Sequence, residues 1–141
     1  MEEIIIDASN CIAGKLATFA AKQAILGKKV SIVNAEKAII SGNPRYYIEK
    51  WKKLKFEYGS PRAGPYISHL PDRFLRLIIR RMIKKRRSGR EAYKRVLCYI
   101  NMPKEFEGKE IISLERAKLS ERIIKSITVG ELCKELGWKG Y

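Results

Sequence analysis

Residues 4–33 read IIIDASNCIAGKLATFAAKQAILGKKVSIV, and their hydrophobic rhythm decides the fold class. Ile4 to Ile6 is a short run of β-branched residues with no polar alternation, the pattern of a strand buried on both faces. DASNCIAG then supplies turn and cap residues. A helix follows, with Leu16, Phe19, Ala20, Gln23 and Ala24 on one face and Gly27 as its stop. Val30 to Val33 is a second apolar strand. Strand, helix and strand within about thirty residues make a crossover unit with parallel strands. The reading is therefore an α/β domain.

Working outward, Ala38 to Ile40 extends a further strand before the turn Ser41-Gly42-Asn43-Pro44. Arg45 to Glu57 has Tyr47, Ile48, Trp51 and Leu54 at helical spacing, interleaved with lysines. SPRAGP is a loop, and Pro71 suits the first turn of a new helix, where its missing amide donor costs nothing. On that helix, at about 100° per residue, Phe74, Leu75, Ile78, Ile79, Met82 and Ile83 fill one semicircle. Arg73, Arg76, Arg80, Arg81 and Lys84 fill the other, with Leu77 intruding. Lys85 would point at the core, so the helix is expected to end there and KKRRSGR to continue as a loop, broken at Ser88-Gly89. A short helical turn, REAYKR, leads into a buried strand over Val96 to Ile100. Residues 101–127 carry mixed charge and weak periodicity and read as loop with one helical turn. Thr128-Val129-Gly130-Glu131 is a capping box that opens a last helix, stopped by Gly137. The 141 residues form one domain, with 101–141 as a C-terminal appendage wrapping the core.

Charge says more about function. Thirty Lys and Arg stand against fifteen Asp and Glu, a net of +15. Residues 1–44 and 96–141 are each near neutral, whereas residues 45–95 hold seventeen bases and four acids. From Arg73 to Arg95 alone, eleven of the side chains are Lys or Arg. Cations this dense repel one another unless a polyanion lies against them, so the segregation predicts one positive face on a balanced body. The aromatics Tyr46, Tyr47, Trp51, Phe56, Tyr58 and Tyr66 are interleaved with it, which marks a folded surface and not a charged tail. A membrane is the rival anionic partner, but an interfacial helix would give lipid the apolar face that this chain needs for its core. Nucleic acid is favoured. Composition does not separate DNA from RNA.

Other chemistries find little footing. SNCIAGKL follows a strand and opens a helix, yet a phosphate-binding loop needs Gly at Ser9 and Ser or Thr at Leu16. It reads as a strand-to-helix turn with Lys15 at the surface. His69, the single histidine, stands in a loop with no cysteine or orienting carboxylate nearby in sequence, so it reads as a loop residue facing solvent or an anionic partner. Cys11, Cys98 and Cys133 are odd in number and widely spaced, as reduced core residues are. No metal or cofactor is expected, no enzymatic activity and no small-molecule substrate. The acidic start MEEIIID and the absence of an uncharged run longer than the nine residues from Ala63 to Pro71 predict a cytoplasmic chain with no membrane partner.

The order of several motifs resembles the universal large-subunit ribosomal protein L-thirteen family. They are Asp7-Ala8, the GKLAT of residues 14–18, the VNAEK of 33–37, Ser41-Gly42, Gly64-Pro65-Tyr66, Pro71, Arg80-Arg81-Met82 and the GREAYKR of 89–95. Gly130-Glu131-Leu132 and Leu136-Gly137-Trp138-Lys139 are similar to its archaeal and eukaryotic branch. The resemblance implies a three-layer α/β/α fold around a four-stranded parallel sheet, with a basic helix-loop extension. It implies as partners large-subunit ribosomal RNA and neighbouring large-subunit proteins, and a part in early subunit assembly; the alternative is a free RNA-binding regulator of translation. This chain departs from the family at Ile83-Lys84, where Leu-Pro is usual, and at His69, where Arg is usual. The longer helix this would permit is a further expectation. The residues expected to meet RNA are Arg62, Tyr66, His69, Arg73, Arg76, Arg80 and Arg81, followed by Lys84, Lys85, Arg86, Arg87, Arg90, Lys94 and Arg95. Tyr66 is read as a base-stacking ring or equally as a core side chain.

Overall fold

The computed structural model describes every residue except 1, 58–61, 63, 65, 84, 121 and 141. Tyr58, Pro65 and Lys84, named above, and all of the SPRAGP stretch except Arg62 and Gly64 therefore lie outside the described residues. The opening crossover forms as read: β1 (Glu3–Asp7), α1 (Ala13–Ile25) and β2 (Lys29–Val33), with β1 and β2 parallel and Ile4 opposite Val30, Ile6 opposite Ile32. After a 3-10 turn at Ala35–Lys37 come β3 (Ile39–Ser41) and α2 (Pro44–Lys52), the latter continued by a π-helical stretch at Lys53–Glu57. Next are α3 (Pro71–Met82), α4 (Arg87–Lys94), β4 (Val96–Cys98), β5 (Ile112–Ser113), β6 (Ser126–Thr128) and α5 (Val129–Glu135). The parallel sheet runs β4-β2-β1-β5.

The pleat sorts the strand residues between two unequal faces. Ile4, Ile6, Val30 and Ile32 face the main core, where they meet α1, Phe74, Leu75 and Ile79 of α3, and Leu132 of α5. On the other face Ile5 and Val33 form a smaller cluster with Phe106, against which Tyr99 packs edge-on at 5.3 Å. That layer is thin, built on a 3-10 turn at Lys104–Phe106. On this second face Ser31, fully buried, donates its hydroxyl to Glu3 Oε1 at 3.2 Å.

The strand expected at 38–40 forms as β3, and it pairs antiparallel with β6 in a ribbon separate from the parallel sheet. Other expectations change. Residues 101–127, read as loop, contain β5, and a short strand docked beside β1 leaves no periodicity to detect in two residues. Helix α3 ends at Met82, before Lys85 and without the extra length that the missing proline would permit, because Ile83 turns extended (φ −97°, ψ 133°) and sinks into the core. Ser88 and Gly89, expected to break the chain, lie within α4, and the break is the segment between Met82 and Arg87. Residues 101–141 give the core Val129, Leu132, Cys133 and Leu136 as well as a sheet strand.

Candidate nucleic-acid interface

Helix α3 organises the basic surface. Pro71 occupies its first turn as expected, Asp72 lies at its N-terminal end, and Arg80 and Arg81 at its C-terminal end, so the charges complement the helix dipole. Phe74, Leu75 and Ile79 are fully buried, which fixes how the helix rolls on the sheet. One member of the apolar semicircle and the residue that intrudes on the other behave otherwise. Met82, at the last position, is exposed beside Thr18 of α1, whose hydroxyl donates to its Sδ at 3.5 Å, while Leu77 is half-buried against the core. Asn43 caps α2, accepting from the Arg45 amide at 3.1 Å, and Trp51 of that helix meets Phe74 edge-on at 4.8 Å. Arg80 and Arg81, adjacent in sequence, reach different neighbours. The Arg81 guanidinium lies 5.3 Å from the Trp51 ring of α2, and that of Arg80 5.8 Å from the Tyr93 ring of α4.

The expected contact residues fall into two groups. Arg62, Tyr66, His69, Arg73, Arg80 and Arg81 are exposed, as are Lys85, Arg86, Arg87, Arg90 and Lys94. Tyr66, at 68% exposure, is not a core side chain. Arg76 and Arg95 are built into the fold instead, which corrects the reading of both as outward cations. Arg76 donates Nε to Val96 O at 2.9 Å and a terminal nitrogen to Tyr93 O at 3.2 Å, with its guanidinium stacked 4.1 Å from the Tyr93 ring. Arg95 clamps Ala24 O, the last turn of α1, through two nitrogens at 3.2 and 2.7 Å. Sequence periodicity places Arg76 at the border of the apolar semicircle, where a long side chain can turn either way.

Carboxylates do little to neutralise this face. Among the described residues expected to meet RNA, the ion pair within reach is Arg87 with Glu91 at 3.8 Å, both side chains open to solvent. Such an exposed pair holds the arginine weakly. Tyr46 and Phe56, not among the expected contact residues, are also largely exposed on α2 and its π-helical continuation, with Lys50, Lys53 and Lys55 among them. Lys55 lies 5.6 Å from the Phe56 ring. The interleaving of lysine with aromatic residues was the signal for them.

The thiols are not poised for nucleophilic work: burial pushes Cys133 up to about 12, and raises Cys11 as well. Among the described residues, no group of three His, Cys, Asp or Glu is placed to hold a metal ion. Nor, among them, is any helix long and apolar enough to cross a membrane.

A family model described as ribosomal protein L13 matches residues 1–105. The chain belongs to the ribosomal protein L13 family. Relatives named large ribosomal subunit protein uL13 extend the match through the C-terminal third. That of Picrophilus torridus is 41% identical over 135 residues, covering 95% of this chain and 96% of its own. That of Thermoplasma volcanium is 40% identical over 134 residues, with 94% and 97% covered. The Archaeoglobus fulgidus protein is 35% identical over 139 residues, with 96% and 88% covered. Two of the motifs by which the sequence resembles the L13 family now have structural reasons. In GREAYKR, Gly89 and Ala92 are the buried side of α4, and Arg95 ties that helix to α1. In Gly130-Glu131-Leu132, Glu131 completes the capping box with Thr128, whose hydroxyl accepts the Glu131 amide at 3.1 Å.

Proposed function

We propose that this protein is a structural constituent of the large ribosomal subunit, which binds large-subunit ribosomal RNA through the exposed cations of α2, α3, α4 and the loops between them and supports early subunit assembly. One observation carries the reading: a cationic surface concentrated in residues 45–95, where the ion pairs among the described residues are Arg45–Glu49, Lys52–Glu135 and Arg87–Glu91, all solvent-accessible, is held on a neutral, well-packed body. Lys and Arg that neutralise phosphates release counterions, and the planar arginine fork also bridges phosphate oxygens and stacks on unpaired bases. The names of the relatives support the ribosome as the place where that RNA is met, and neighbouring large-subunit proteins as partners. The role is that of a scaffold and not of a catalyst.

The test is a charge reversal at Arg80, Arg81, Arg86 and Arg87 to Glu. All four are exposed, so the helical circular-dichroism signal should stay while the variant ceases to co-sediment with the large subunit. Loss of the helix signal would mean that these arginines hold the fold. Wild-type protein that stays at the top of the gradient at moderate salt would instead favour a free regulator.

A further inference from the structure

The basic face is hollow between α3 and α4. A cleft of about 460 Å³ is lined by Arg76, Arg80, Lys85, Arg90 and Lys94, and among the described residues no carboxylate lines it. The rest of its lining is Ile83, Gly89 and Tyr93. Ile83 and Gly89 are buried and Tyr93 is half-buried, so this part of the lining is a wall of the fold and not a loose flap.

Its inner wall is preformed. Arg76 is held by the carbonyls of Val96 and Tyr93 while its guanidinium covers the Tyr93 ring, which fixes both side chains before any ligand arrives. The outer cations Lys85, Arg90 and Lys94 are exposed and can move to an anion. The early end of α3 matters here: the extended Ile83 and the turn before Arg87 separate the two helices and open the space. Pockets for small groups begin at roughly 300 Å³, so the cleft has room for one nucleotide and none for a duplex. Cations alone would suit any anion. An aromatic and aliphatic wall beside them selects an occupant with a flat apolar ring and a phosphate, which is what an unpaired nucleotide turned out of its stack presents.

We propose that this cleft takes a single unpaired nucleotide of the ribosomal RNA, with its base against Tyr93 and Ile83 and its flanking phosphates on Lys85, Arg90 and Lys94. The assignment rests on the RNA-binding reading given above. It makes this part of the face a reader of RNA shape, since only an RNA whose fold extrudes a base at that point can fill the cleft.

The experiment is ultraviolet crosslinking of the full chain bound to a large-subunit ribosomal RNA transcript, with the crosslinked peptides and nucleotides sequenced. The expected result is a one-nucleotide adduct on the peptide containing Tyr93, at a position unpaired in the RNA. The triple variant K85A/R90A/K94A should lose that adduct at least ~10-fold, while K104A/R116A/K125A, with the same loss of charge at exposed positions outside the proposed binding face, should retain it. RNA bound with adducts elsewhere and none at Tyr93 overturns the cleft and leaves the RNA-binding reading standing. An adduct at a paired nucleotide, or an equal loss in both variants, also overturns it. Failure of the wild-type chain to bind the transcript removes both.

Discussion

Arg76 and Arg80 stand one helical turn apart on α3, and the difference between them is what their guanidinium groups touch. Arg76 makes two charge-assisted bonds to carbonyls and stacks on Tyr93; Arg80 is exposed. Hydrogen bonds to a charged group contribute about 1.5–3 kcal/mol each when buried, and partial solvation reduces that. Arg76→Ala should therefore lower stability by about 2 kcal/mol in urea denaturation, against about 0.5 kcal/mol or less for Arg80→Ala. Affinity for RNA should show the reverse order, measured on the folded fraction. Asp7 offers a second residue-scale prediction. Burial raises its pKa, but the Ser9 amide at 3.0 Å, the Asn34 side chain at 3.1 Å and the field of Lys37 outweigh this, and the carboxyl sits below its ordinary 3.8. A depressed carboxylate stabilises the fold at pH values above the unfolded-state pKa, and this contribution disappears as pH falls through the folded one. Stability measured from about pH 5 down to about pH 2 should fall less steeply in Asp7→Asn than in the wild type.

Close approach between elements sets the next scale. Gly130 lies in the first turn of α5, where alanine would ordinarily be the better helix former by about 1 kcal/mol. A Cβ there would sit 3.0 Å from the backbone oxygen of Glu36 and 3.2 Å from its Cβ. That oxygen belongs to the 3-10 turn at Ala35–Lys37, which is anchored by Ala35 N–H to Tyr99 O at 3.0 Å and so cannot retreat cheaply. Gly130→Ala should therefore destabilise, by about 1–2 kcal/mol, a reversal of sign that thermal or urea unfolding would detect. An increase in stability would show that α5 can shift away from the turn. The elements most legible in sequence were those with strong local signals: the apolar strands β1 and β2, the capping box of α5 and the proline start of α3. The end of α3 was legible only to within a few residues: Lys85 on the core side signalled a stop, but burial of Ile83 in the main core ends the helix at Met82.

For the whole molecule the net +15 is a standing repulsion concentrated on one stretch of surface. Its relief by phosphate makes binding sensitive to salt. If six to ten phosphates are contacted, affinity for ribosomal RNA should fall by roughly 10³–10⁵ between about 50 and 200 mM salt. A flat response, measured by filter binding or anisotropy, would contradict an interface made by the exposed cations. The same screening should leave Arg76 and Arg95 in place, since their partners are carbonyls of the fold and not mobile ions.

By itself the sequence determined the parallel crossover, the segregation of charge into residues 45–95 and the family, because each is written in the order and spacing of residues along the chain. Tertiary structure alone decided which cations stand exposed and which are bonded into the frame. Arg76 and Arg80 are the same side chain on the same helix, and a sequence cannot state that two carbonyls, at Tyr93 and Val96, end within reach of one of them. Nor could it place β5 beside β1, or hollow a cleft between α3 and α4, since both follow from how distant segments pack once Ile83 has sunk into the core.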